Sequence, residues 1–129
     1  MDMKEEVSKW AYLSLIGLGA FLTPIKMDMY LVGILVMADW LTGVMKGIKT
    51  KEFTSQKSIR KYWVSLGYLS AILVARMVEV YFMEAIPIVK PMVIVIAISE
   101  IQSLRENIKV LTGVDLFENI AEIFKRKEQ

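Results

Sequence analysis

Leu31-Val-Gly-Ile-Leu-Val-Met-Ala-Asp-Trp-Leu-Thr-Gly-Val-Met-Lys-Gly47 is apolar on every side of a helix until Asp39 interrupts it. Such a stretch has no face to offer to water. A chain of 129 residues that is 55% hydrophobic carries more apolar side chains than a core of its size can hide. Three further runs, Trp10 to Leu22, Tyr62 to Phe82 and Ile86 to Ser99, repeat the pattern, as in Met92-Val-Ile-Val-Ile-Ala-Ile98. The expected fold is therefore all-α: a polytopic membrane protein with about four transmembrane helices, near residues 10–22, 29–44, 62–82 and 86–99. Only the third run approaches the ~20 residues that cross a bilayer comfortably, so re-entrant or tilted arrangements stay open for the shorter ones.

The placement of lysine and arginine supports the membrane reading. If all four runs span, Lys4 and Lys9, the loop cations Lys46, Lys49, Lys51, Lys57, Arg60 and Lys61, and the C-terminal Arg105, Lys109, Lys125, Arg126 and Lys127 share one side. Lys26 and Lys90 stand on the other, and Arg76 lies within a span. Basic loops face the cytoplasm, which puts both termini there and the protein in a bacterial cytoplasmic membrane. The net charge of +2, from 16 basic and 14 acidic residues, is too balanced for a nucleic-acid partner. There is no Cys and no His, which excludes disulfides, thiol nucleophiles, Cys/His metal sites and His-based acid/base catalysis. No nucleophile motif gathers the remaining polar residues, so the expectation is a protein that is not an enzyme and needs no cofactor or metal. The N-terminal Met-Asp-Met-Lys-Glu-Glu mixes charge signs and does not read as a removable signal peptide.

The connections can be anticipated from caps and breakers. Thr23-Pro24 ends the first run, and Thr54 and Ser55 are N-cap candidates for the third helix. Pro87 and Pro91 interrupt the fourth run, so a regular helix is expected from about Pro91 to Val110, leaving the bilayer near Glu100 and stopped by Gly113. Asp115-Leu-Phe-Glu118 reads as a capping box opening a last helix to about Lys127, with Leu116, Phe117, Ile120, Ile123 and Phe124 on one face. The chain thus divides into a membrane domain, 1–113, and a C-terminal amphipathic helix, 114–129, that packs on a neighbour or lies on the inner membrane surface.

Charges inside spans are costly and face protein, water or one another. Asp39, Arg76 and Glu79 are of this kind, and Arg76 and Glu79 are spaced to pair on one helix. Lys90 and Glu100 lie near the outer and inner edges, where holding helices in register or snorkelling to the interfaces is the simplest account. Small residues mark where helices approach: Gly43 and Gly47 form a GxxxG, and Gly67, Ala71 and Ala75 form a row that Glu79 continues. Asp39, Thr42, Glu100 and Ser103 are expected to form a polar cluster at the cytoplasmic mouth of the bundle, neutralised by Lys46 or Arg105. In it, Asp39 bonds across helices and fixes how the second and fourth helices meet, within or between subunits.

Asp39-Trp-Leu-Thr-Gly-Val-Met-Lys46, followed by the basic loop with Thr54-Ser55 and by Ser99-Glu-Ile-Gln-Ser-Leu-Arg-Glu-Asn-Ile108 and Leu111-Thr-Gly113, resembles the motifs of a bacteriophage holin family. That family, also known as toxin-secretion or phage-lysis holins, has Asp-x-x-Thr-Gly at the end of an early span and Glu-x-x-Ser-x-x-Glu-Asn after its last. The C-terminal helix suits the version found in Bacteroidetes-type sequences. The resemblance covers about residues 28–113 and puts Asp39, Thr42, Gly43, Glu100, Ser103, Glu106 and Asn107 at the family positions. Ser99, where many relatives have Asn, and the polar Arg105 depart from the pattern. The resemblance implies a lipid-embedded homo-oligomer that opens lesions in the cytoplasmic membrane. Through them an endolysin or another cargo passes during host-cell lysis or toxin secretion, or the proton-motive force collapses.

Two other readings compete. One is a membrane scaffold that forms no pore and recruits a cytosolic partner through residues 115–127. The other is a small carrier that couples transport through Arg76 and Glu79, for which no inverted repeat is visible.

Overall fold

The computed structural model describes residues 2–128, so the first and last residues of the two expected units, 1 and 129, lie outside the described residues. The described chain is helical, with no strand: α1 (Met3–Leu22), a single 3₁₀ turn (Thr23–Ile25), α2 (Lys26–Thr50), α3 (Ser55–Tyr81), α4 (Val89–Thr112) and α5 (Leu116–Lys127).

The boundaries follow from local chemistry. Pro24 sits in the 3₁₀ turn, where its missing N–H removes no helical bond, and α2 resumes at once from Lys26. Thr54 caps α3 by accepting from the Lys57 N–H at 3.4 Å. α4 begins two residues before Pro91, which therefore falls in the first turn among N–H groups that have no helical partner anyway. Gly113, at φ +73°, closes α4 in the left-handed conformation that glycine adopts without steric cost. Lys49 donates to the Val110 and Leu111 carbonyls at 3.1 and 3.0 Å and so satisfies that same helix end.

α2, α3 and α4 form the packed unit, with α2 against α4 the most extensive contact. Contacts from Asp28 to Lys90 and from Lys49 to Val110 make these two parallel. Lys61 against Glu100 and Glu79 against Val89 make α3 antiparallel to both. Each helix presents a buried or half-buried row at alternating spacings of four and three: Asp28, Val32, Leu35, Asp39, Thr42 and Lys46 on α2; Lys61, Ser65, Tyr68, Ile72, Ala75 and Glu79 on α3; Val89, Val93, Ile96, Glu100, Ser103 and Asn107 on α4. A mean repeat of 3.5 residues is the seam of helices packed knobs-into-holes. Its middle is apolar, with Val32, Ile72, Ala75, Val93 and Ile96 buried together, and its ends are polar.

Two features differ from expectation. First, two stretches among the described residues, Met3–Thr50 and Ser55–Tyr81, are long and apolar enough to cross a bilayer, rather than four. α1 and α2 are parted by so short a turn that they form one apolar stretch, and Lys90 and Glu100 shorten the apolar part of α4. Second, α1 is exposed from residue 2 to residue 20 and so packs on none of the other helices over that length.

Candidate functional site

The seam ends in two buried polar networks. At the basic end, Lys61 of α3 places its ammonium 2.6 Å from Asp39 Oδ2 and 2.8 Å from both Glu100 carboxylate oxygens. Asn107 of α4 donates through Nδ2 to Asp39 Oδ1 at 3.0 Å and to Thr42 Oγ1 at 3.2 Å. Thr42 in turn donates to the Ala38 carbonyl at 2.8 Å. Asp39, Glu100 and Asn107 are 4, 1 and 7% exposed, so these bonds form away from solvent. Three helices are thereby tied through one ammonium.

At the opposite end the group that organises the site is Glu79. Its Oε1 accepts from the Ile88 and Val89 N–H groups, both at 2.8 Å, so a carboxylate on α3 caps the first turn of α4. Arg76 contacts Glu79 at 3.5 Å and Glu84 at 2.9 Å, and donates through Nε to the Phe21 carbonyl at the end of α1, at 3.2 Å. Glu84 and its neighbour Met83 hold φ of 62° and 54°, a left-handed pair stabilised by the Arg76 contact and by the Glu84 N–H donating to the Glu79 carbonyl at 2.7 Å. Lys90 and Asp28 pair beside this network at 2.6 Å. Among the described residues, every fully buried side-chain nitrogen and oxygen has a hydrogen-bond partner.

The structure therefore brings together Asp39, Thr42, Glu100 and Asn107. Ser103 is half-buried and lines an open pocket beside them with Lys46 and Lys57, and Glu106 is exposed. The neutralising base is Lys61 and not Lys46 or Arg105. Arg105 instead grips Asp115, Nε lying 3.0 Å from both carboxylate oxygens and Nη2 2.5 Å from Oδ2. This holds the Asp115 carboxyl below the usual aspartate range, assisted by the Glu118 N–H that it caps. Glu100 is buried and ion-paired within the bundle, whereas Lys90 pairs with the buried Asp28 while its own side chain stays 70% exposed. Of the small residues, Gly43 lies against Asn107, Gly47 lies against Phe53, Ala75 is buried, Ala71 is half-buried and Gly67 faces open space. Lys61 and Asp28 had a signal in the sequence: each falls on the 3.5-residue row of its helix, Asp28 three turns before Asp39 on the same face.

Buried charges and outward apolar side chains define an integral membrane protein. Met27, Ile34, Met37, Val74, Met77, Ile94 and Val95 are exposed, while Asp28, Asp39, Arg76, Glu79, Glu100 and Asn107 are buried, the reverse of a water-soluble bundle. The chain belongs to the bacteriophage holin family, whose model matches residues 16–127. It is not a family of enzymes. Comparison with curated proteins and with solved structures gives no significant match.

Proposed function

We propose that this protein is a multi-pass protein of the bacterial cytoplasmic membrane that assembles into homo-oligomeric pores or lesions, depolarising the cell and releasing an endolysin or other cargo. The observation that carries the reading is the closed seam. Val32, Ile72, Val93 and Ile96 fill the space between the two polar networks, so a single protomer offers no wet path from one end to the other. Permeation then requires a passage between copies, which family membership supports. In this reading the packed α2–α4 unit is the rigid block, both termini are cytoplasmic, and Asp39, Thr42, Glu100 and Asn107 keep the block intact as copies associate.

The test is induced expression in bacteria that carry a cytosolic reporter enzyme of endolysin size, with membrane potential and reporter release followed together after wall removal. Abrupt, delayed depolarisation with release is the expected result. Depolarisation without release would reduce the proposal to small pores. No change in either, with the protein present in the membrane, overturns it. Unaltered assembly and permeabilisation in Asp39→Ala would remove the role given to the cluster.

A further inference from the structure

We infer that α5 is an interfacial helix whose apolar face rests on the anionic inner surface of the same membrane that holds α2–α4. The inference rests on membrane embedding and not on pore formation.

Depth comes first. The paired aromatics Tyr62–Trp63 and Tyr81–Phe82 on and beside α3 are exposed, as interfacial belts are. The 19 helical steps between Tyr62 and Tyr81 span about 29 Å at 1.5 Å per residue, close to the ~30 Å of a hydrocarbon core. Glu79 fixes Val89, the start of α4, beside the second belt. Lys61, next to Tyr62 in the first belt, reaches Glu100 at 2.8 Å, so α4 meets that belt near Glu100, where the apolar run ends, and the exposed Arg105 and Glu106 lie beyond the hydrocarbon. Arg105, five residues and about 7.5 Å further along α4, grips Asp115, the residue before α5, and so returns the start of α5 to the headgroup layer.

Charge and shape select the occupant. At about 100° per residue, Leu116, Phe117, Ile120, Ile123 and Phe124 fall within an arc of about 120°. All of them are exposed. Glu118 and Glu122 lie on the opposite side of the helix together with Lys125, whereas Arg126 flanks the apolar arc, Lys127 falls within it at the helix end, and Lys109 stands in the last turn of α4. Acids turned away from an apolar face, with bases gathered at the helix end, fit an anionic phospholipid surface. The Arg105–Asp115 contact and the Gly113 turn hold the start of α5 without any apolar packing on α4 that would consume this face.

The absence of native cysteine permits single labels. Full-length Ile120→Cys, Phe124→Cys and Glu122→Cys variants carrying an environment-sensitive fluorophore are reconstituted in phosphatidylcholine vesicles with and without phosphatidylglycerol, some containing lipids with spin-labelled chains as quenchers. Labels at 120 and 124 should show blue-shifted emission and quenching by these lipids when phosphatidylglycerol is present, and the label at 122 should show neither. Replacing Lys125, Arg126 and Lys127 by alanine should weaken the partitioning by about fivefold per charge removed. Equal, water-like signals at all three positions overturn the inference. So does protection at 120 and 124 that ignores lipid charge and rises with protein density or with an added soluble extract, because the face then docks protein. Val74→Cys, on the exposed face of α3, is the control: if lipid fails to quench that label, the membrane reading itself has failed and not the placement of α5.

Discussion

Lys61 balances two carboxylates with one ammonium, and this asymmetry makes it the most sensitive position of the seam. Removing one partner of a buried ionic cluster leaves the others uncompensated, at a cost of about 3 kcal/mol or more. Lys61→Met should therefore destabilise the protein by that order in denaturant titrations in mixed micelles, followed by circular dichroism. Combining it with Asp39→Asn and Glu100→Gln should restore most of the loss, because no unpaired charge then remains. A Lys61→Met variant no weaker than the surface change Lys57→Met would show that the cluster carries no such coupling. Asn107→Ala should cost less, about 1 kcal/mol, since Lys61 still serves Asp39 and polar contacts in bilayers are individually modest. At this scale the sequence disclosed that Asp39 meets α4, because a carboxylate in an apolar helix requires a partner. It did not disclose which base answers, since side-chain reach depends on how α3 lies against α2 and α4.

Helix ends carry the next level of organisation. Glu79 acts as a cap for a helix other than its own, and caps contribute about 1 kcal/mol. In Glu79→Ala the amides of Ile88 and Val89 should exchange faster with solvent deuterium while those at the centre of α4 stay protected, and Glu79→Gln, which keeps an acceptor oxygen, should lie between. Unchanged exchange in Glu79→Ala would remove the cap role. The Arg105–Asp115 contact predicts a pH response with a definite sign. The Asp115 carboxyl is depressed in the folded state by Arg105, so the contact is fully present above the ordinary aspartate pKa of about 3.9 and is lost as pH falls from there through the native value. Spin labels on α4 and α5 should report a broader distance distribution at low pH, and Asp115→Asn should show that breadth at neutral pH. The helix boundaries were legible because Thr54, Gly113 and Asp115 each start or stop a helix through residues next to them in the chain. The seams were harder to see: when every side of a helix is apolar, a 3.5-residue row shows only through its polar members, Asp28 and Asp39, Lys61 and Glu79, Glu100 and Asn107.

For the whole molecule, the decisive property is that α2–α4 satisfies its polar groups internally while α1 does not pack. Dispersion between well-fitted surfaces, and not the hydrophobic effect, holds helices together in lipid, so an unpacked apolar helix carrying Gly17, Gly19 and Ala20 is available to another copy at little cost. The end of α1 is tied to the block by the Arg76 bond to the Phe21 carbonyl, by the Arg76 guanidinium over the Phe21 ring and by Leu22 against the core, and residues 2–20 are exposed. If copies associate through α1, single cysteines placed from Leu13 to Ala20 should cross-link between subunits on oxidation with a period of three to four residues, the signature of one helical face. Val74→Cys, exposed on α3, should cross-link weakly by comparison. Arg76→Leu should blur the periodicity without abolishing cross-linking, because it loosens the end of α1, where Leu22 still packs on the core, and leaves its contact face unchanged. Uniform cross-linking along α1, equal to that at Val74, would mean random collision. No cross-linking along α1 in a protein that still permeabilises membranes would move the subunit contacts to the outer faces of α2–α4.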